Sequence, residues 1–151
     1  MNLLVDTNIA IDCLQNREPF AASARKLFCL GYLKEMSLWM SVSQFTDAIY
    51  VLSDGGRPSL MGETRRQMKS LLKSVHLCPL NEEDAKAVLD STWEDLEDAF
   101  VYRAALKVNA DAIITRNQQD FQKSFIKVLD CEEFFVWLEA EKGLVYEEIP
   151  W

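Results

Sequence analysis

The chain begins MNLLVDTNIAID, residues 1–12. Three consecutive apolar residues, Leu3 to Val5, run directly into Asp6, Thr7 and Asn8. A short, continuous apolar run of this kind fits a strand buried on both faces, as in a parallel sheet covered by helices on each side. Ile9 to Leu14 then reads as a first turn or two of helix. Asp6 has two explanations at this point. Its carboxylate can cap that helix, or it can hold a metal ion at the end of the strand.

Working outward, further short apolar strands are predicted at Leu38–Met40, Val75–Leu77, Ala112–Ile114 and Ile126–Leu129, each separated by helical sequence. Arg17-Glu-Pro-Phe20 breaks the first helix, and Pro19 suits the start of the next, which Gly31 loosens or ends. Ser41 or Ser43 caps a helix carrying Phe45, Ala48, Ile49 and Leu52. Asp54-Gly-Gly-Arg-Pro58 is the clearest loop. Helix starts are also expected at Asn81-Glu-Glu-Asp84, at Thr92-Trp-Glu-Asp95 and at Asp130-Cys-Glu-Glu133, the last helix ending near Gly143. Strand and helix alternate throughout, the pattern of an α/β fold with a mainly parallel central sheet of about five short strands flanked by helices. No internal repeat or linker interrupts it, so residues 1–151 are expected to form one domain with 144–151 as a tail.

The totals set limits. The chain has 151 residues and 49% hydrophobic content, enough for a substantial core. No apolar run reaches the ~20 residues of a membrane span. No basic leader with a small-residue cleavage site is visible, so a cytoplasmic location without membrane attachment is expected. Cys13, Cys29, Cys78 and Cys131 are scattered without a CxxC, and His76 is the sole histidine. That pattern fits neither a Cys/His zinc site nor a disulfide framework. A net charge of −8 argues against nonspecific coating of nucleic acid. It leaves room for an enzyme that neutralises its own carboxylates with a divalent cation.

In an open parallel sheet, ligands bind beyond the carboxyl ends of the strands. Asp6, Thr7 and Asn8 follow the first strand. Ser41 and Ser43 follow the second, with Asp47 one turn into the next helix. Thr115, Arg116 and Asn117 follow the fourth, with Asp120 just beyond. Asp95 and Asp98 stand at i and i+3 on a helix whose small residues, Ala99, Ala104 and Ala105, permit close approach. Clustered carboxylates repel each other unless a hard cation such as Mg²⁺ or Mn²⁺ neutralises them, and such a site can activate water against a phosphodiester. His76 lies on a predicted core strand and is a poor general base. Each residue also has an ordinary structural role: Asp6 and Asn8 as caps, Asp95 and Glu97 as first-turn acids matched to the helix dipole, Asn117 and Asp120 as turn residues. The basic stretch Arg57, Arg65, Arg66, Lys69 and Lys73 reads as a solvated helix face, and Trp39, Trp93 and Trp137 as core. No GxGxxG, Walker loop, GxSxG or HExxH is present, and Asp6-Thr-Asn8 lacks the second aspartate of a phosphoaspartate phosphatase.

LLVDTNIAIDCL at the start, DLEDAFVYRAALKVNADAIITRNQQDF at 95–121 and the apolar strand before Asp130 together resemble the PIN domain, and in particular the VapC-like toxins of bacterial toxin–antitoxin systems. The resemblance covers nearly the whole chain. It implies a three-layer fold and an Mg²⁺- or Mn²⁺-dependent endoribonuclease. It further implies a small antitoxin protein as partner and a homodimer. By the same resemblance, Asp6, Asp98 and Asp120 are metal ligands and Asn117 a polar site residue, while Thr7, Asn8 and Thr115 support them. RNA phosphates would meet Arg57, Arg65, Arg66, Lys69, Lys73 or Arg116. One departure stands out: where many relatives carry a Glu on the helix after strand two, this chain offers Asp47, one methylene shorter. The alternative expectation is a PIN-fold binding module with weak or no catalysis, using the apolar tail residues Val145, Tyr146, Ile149 and Trp151 as an interface. A phosphatase or DNA nuclease on the same site is a third.

Overall fold

The computed structural model describes residues 1–146; Ile149 and Trp151 lie outside them. Five strands form one all-parallel sheet: β1 (Asn2–Val5), β2 (Ser37–Ser41), β3 (Val75–Cys78), β4 (Ala112–Ile114) and β5 (Lys127–Leu129). Their spatial order is β3-β2-β1-β4-β5. The uninterrupted apolar sequence of β1 suits its central place, and Leu3, Leu4 and Val5 are fully buried. In register, Leu4 sits between Trp39 of β2 and Ile113 of β4.

Alternating side-chain directions along the strands divide the core into two layers. Leu3, Val5, Leu38, Met40, Ala112 and Ile114 pack with α1 (Thr7–Leu14), α2 (Ala21–Tyr32), α3 (Val42–Leu52), α4 (Met61–Leu71) and α7 (Cys131–Lys142). Leu4, Cys78 and Ile113 pack on the other face with Val101, Ala104 and Ala105 of α6 (Leu96–Lys107). The alanines bring α6 close to the sheet, and α5 (Glu82–Leu89) lies against it.

Helix starts follow the capping chemistry. Ser41, Asn81 and Asp130 each form a reciprocal capping box, which satisfies backbone donors otherwise left orphaned. The start expected at Thr92 falls later, because Asp95 itself takes the cap and accepts the N–H groups of Glu97 and Asp98. Asp84 joins α5 to α6: Arg103 Nε is 2.9 Å and Lys107 Nζ 2.6 Å from its oxygens. Gly143 ends α7 in the left-handed region, where glycine carries no Cβ penalty.

Three expectations are corrected. His76 is exposed on β3, at one edge of the sheet, with its ring 4.9 Å from that of Trp39; the apolar neighbours in its strand concealed that outward turn. The tryptophans Trp39, Trp93 and Trp137 are half-buried rather than enclosed. Gly31 neither loosens nor ends α2, which runs on to Tyr32. A Cβ at Gly31 would lie 2.6 Å from Leu38 Cδ1 and 2.6 Å from the Ser74 carbonyl oxygen, so this glycine sets how closely α2 approaches the sheet. In the tail, Tyr146 packs onto the core while Val145 is exposed.

Gly31→Ala should therefore destabilise the protein despite alanine's better helix propensity. Propensity favours the change by about 1 kcal/mol, whereas overpacking against a backbone oxygen costs about 1–3 kcal/mol. Urea unfolding should show a lower midpoint with an unchanged slope. A raised midpoint would show that α2 can shift without cost.

Candidate active site

The carboxyl ends of β1 and β4 are stitched together around Asp6. Its N–H donates to the Ile114 carbonyl at 2.9 Å. Its Oδ1 accepts the Thr7 N–H at 2.7 Å, capping α1. Its Oδ2 accepts the Thr115 hydroxyl at 2.6 Å and the Asn8 amide at 2.8 Å. Asn8 Oδ1 in turn accepts the Arg116 N–H at 3.3 Å, and Thr115 Oγ1 accepts the Asn117 N–H at 3.0 Å. Burial pushes the Asp6 carboxyl above its ordinary range, while the hydrogen bonds from Thr115, Thr7 and Asn8 pull the other way.

A second group of acids arrives from α6. Asp98 is pushed up to about 6, first by burial, then by the charges of Asp95, Asp120, Asp6 and Glu97. Asp98 and Asp120 line one open cleft of about 300 Å³ with Trp93, Gln119 and Lys123. Asp120 stands in the short helical turn Gln118–Phe121, where its N–H bonds the Asn117 carbonyl at 3.0 Å. On α3, Asp47 is half-buried and raised by burial. Glu97 is raised by burial and then by Asp47, Asp95 and Asp6. Among the described residues, the side chains of Asp47, Asp98 and Asp120 have neither a cationic partner nor a hydrogen-bond donor.

That donor set fits a hard divalent cation. The ligands are all oxygen, the charge is uncompensated, and burial, then like charge, makes Asp98 resist ionising. Among the described residues no group of three or more acidic, histidine or cysteine side chains is placed to hold a metal ion between them. Mg²⁺ ordinarily binds through one or two carboxylates while keeping several waters and substrate phosphate oxygens, so an open arrangement suits it.

The predicted positions thus fall in two places. Asp6, Thr7, Asn8, Thr115, Arg116, Asn117, Asp120 and Asp98 gather at the strand ends, and Asp47 acts on the same group through Glu97. Among the described residues no side chain of the basic stretch bonds or pairs with them. Lys34 Nζ donates to the Lys73 carbonyl at 3.2 Å, at the amino-terminal ends of β2 and β3, on the sheet edge away from Asp6. Arg57 pairs with Asp54 at 2.8 Å and Arg66 with Glu63, while Arg65 and Lys69 are exposed on α4.

Three participants went unread in the sequence. Glu97 was assigned only to the helix dipole. Gln44, 2% exposed, donates its amide to the Val5 carbonyl at 3.1 Å and so ties α3 to the end of β1; its place three residues after Ser41 was the available signal. Asp12, fully buried, lies 2.7 Å from Arg116 Nε, and nothing in the local pattern announced it.

A family model described as the PIN domain matches residues 2–119. Solved structures with the same fold include VapBC2 from Rickettsia felis bound to a DNA fragment from their promoter. That match has TM-score 0.63 and 14% identity, and covers 86% of this chain and 98% of that one. VapBC-1 from nontypeable Haemophilus influenzae matches with TM-score 0.62 and 21% identity, over 87% and 99%. A toxin–antitoxin complex from Klebsiella pneumoniae matches with TM-score 0.60 and 19% identity, over 85% and 97%. No curated protein sequence matches the chain. At these identities the structures establish likeness of fold, and the family model, which spans most of the 151 residues, establishes membership: the chain belongs to the PIN domain family.

Proposed function

We propose that the chain is a divalent-metal-dependent endoribonuclease and the toxin of a toxin–antitoxin pair. The observation that carries this reading is the set of unpartnered carboxylates, Asp98 and Asp120 beside Asp6, at the carboxyl ends of a parallel sheet. The fold shared with toxin–antitoxin complexes supports the toxin role, with a small antitoxin protein as partner and a homodimer as the assembly.

Asp6, Asp98 and Asp120 would hold Mg²⁺ or Mn²⁺. When bound, the cation supplies charge neutralisation at the phosphodiester and activation of water for attack. The protein's own groups prepare the site. Thr115 and Asn8 fix Asp6 Oδ2, as donors behind a ligand orient it and tune its basicity. Asn117, exposed beside the acids, offers an amide to the substrate. Asp47 and Glu97 extend the negative field on the α3 side.

Cleavage of a single-stranded oligoribonucleotide in Mn²⁺ tests the reading. Asp98→Asn should lower the rate at least a hundredfold, by order of magnitude, and Thr115→Val, which removes one of the two bonds to Asp6 Oδ2, roughly 10–100-fold. Undiminished cleavage by Asp98→Asn would overturn the site. Induction of the wild-type chain should arrest bacterial growth, and induction of Asp98→Asn should not. A binding module without catalysis is the reading favoured by the lack, among the described residues, of three acidic, histidine or cysteine side chains placed to hold a metal ion. Calorimetric titration with Mn²⁺ decides against it if millimolar or tighter binding is seen.

The raised Asp98 carboxyl makes a second prediction. Between the ordinary carboxylate range and pH about 6, the folded protein keeps a proton that the unfolded chain releases. Ionising Asp98 therefore costs stability as pH rises through that window. Without divalent cation, Asp98→Asn should raise Tm by a few degrees at neutral pH. The gain should vanish in acid, where the carboxyl is protonated in both states. Mn²⁺ should stabilise wild type more at pH 7.5 than at pH 5, and an equal effect at both values would contradict the assignment.

A further inference from the structure

Asn117 also borders a second cleft, of about 360 Å³, lined by Phe20, Ser23, Arg116, Asp130 and Glu132. Arg116 is held there from two directions. Its Nε is 2.7 Å from Oδ2 of Asp12, which is fully buried, and its guanidinium carbon stands 4.4 Å from the centre of the Phe20 ring. Nε is itself buried and, like both Asp12 carboxylate oxygens, makes no hydrogen bond among the described residues, so the Asp12 contact is an ion pair. The two Nη groups are not buried, and they have no hydrogen-bond partner among the described residues.

We propose that this guanidinium fork binds a phosphate of the substrate strand next to the one cleaved, and that Asp12 is the positioning residue that holds the fork in place. The proposal rests on the nuclease reading of the neighbouring acids. A buried ion pair contributes little net stability, since an apolar pair of the same shape packs as well, while loss of one partner is costly. Asp12 and Arg116 therefore need an explanation other than stability. A guanidinium ion-paired on its Nε side and stacked on one face turns its two Nη donors outward, the geometry that suits bidentate recognition of phosphate. Asp130 and Glu132 repel phosphate, so only the Arg116 part of the lining can accept one. Its backbone N–H already bonds Asn8, so the fork is set at a fixed offset from Asp6.

The double variant Asp12→Asn with Arg116→Gln keeps the net charge and a hydrogen-bonding pair of similar shape. Its affinity for a fluorescently labelled single-stranded oligoribonucleotide, with Ca²⁺ in place of Mn²⁺, should fall about tenfold or more. The slope of log affinity against log salt should shrink by about 0.7, the loss of one phosphate contact. Unchanged affinity and slope overturn the proposal. Asp12→Asn alone keeps the cation, so the slope should stay while kcat falls; unchanged kcat overturns the positioning role. If the double variant does not fold, Arg116→Lys replaces it: charge without the fork should lower affinity at constant slope, and wild-type affinity overturns the proposal. Cleavage by the wild-type chain in Mn²⁺ is followed in parallel. Failure of that cleavage overturns the nuclease reading, whereas wild-type cleavage with an unaffected double variant overturns the Arg116 assignment alone.

Discussion

The hydrogen bond from the Thr115 hydroxyl to Asp6 Oδ2, 2.6 Å long, is the contact on which the rest of the site depends. β1 and β4 are far apart in sequence and adjacent in the sheet, and this bond continues their pairing past the last strand residues. The Thr115 N–H bonds the Leu129 carbonyl at 2.9 Å, carrying the link on to β5. Everything after Thr115 inherits its position: Arg116 against Asn8, Asn117 under the threonine hydroxyl, Asp120 facing Asp98. The two roles open to Asp6 are also compatible. Capping uses one acceptor site on Oδ1, and Oδ2 takes Thr115 and Asn8. A carboxylate has about four acceptor sites, so the cap leaves room for a cation.

Much of this was legible in the sequence, for identifiable reasons. Strands buried on both faces write themselves as apolar runs, so Leu3–Val5 and Ala112–Ile114 were readable with no structural input. Polar residues just after such strands sit where α/β sheets bind ligands, which brought Asp6, Thr115 and Asn117 together on paper. Residues whose partners come from distant elements were not readable. Asp12 looks like one more helix position until Arg116, over a hundred residues later, is seen against it. Glu97 looks like a dipole acid until Asp47 on α3 is found opposite. The helix bearing Arg65, Arg66 and Lys69 carries the right charge for RNA, but its charge pattern holds no information on which sheet edge it approaches.

If the proposed activity holds, an acidic protein acting on an anionic polymer faces an unfavourable long-range field. With a net charge of −8, attraction has to be local. Screening limits exposed charges to about 8 Å at physiological ionic strength, so Lys73, just before β3 at the other end of the strands, does little for a strand at the acids. A cation held as proposed among Asp6, Asp98 and Asp120 would change the sign of the field locally, and Arg116 is tied through its N–H to Asn8, which bonds Asp6. The partial burial of Arg116, with the side chain 30% exposed, lowers the surrounding dielectric and lengthens its reach relative to a freely solvated arginine.

Helix α6 shows how the fold accommodates the repulsion this arrangement creates. At its amino-terminal end Asp98 and Glu97 are both raised, mainly by burial and then by like charge, and the helix dipole offsets only part of that. Toward its other end, Arg103 and Lys107 grip Asp84. Bonds from Lys107, the Asn81 N–H and Arg103 hold the Asp84 carboxyl well below the usual range. Carboxyls associated with the two ends of one helix are therefore shifted in opposite directions, the low one fully paired and the high one unpaired. The paired end secures α6 against α5, and Val101, Ala104 and Ala105 seat it on the sheet. Asp98 can then stay in an electrostatically unfavourable place without the helix swinging away to relieve it. A helix anchored only through its acidic end would relax its repulsion by moving; this one can be relieved only by a proton or a cation.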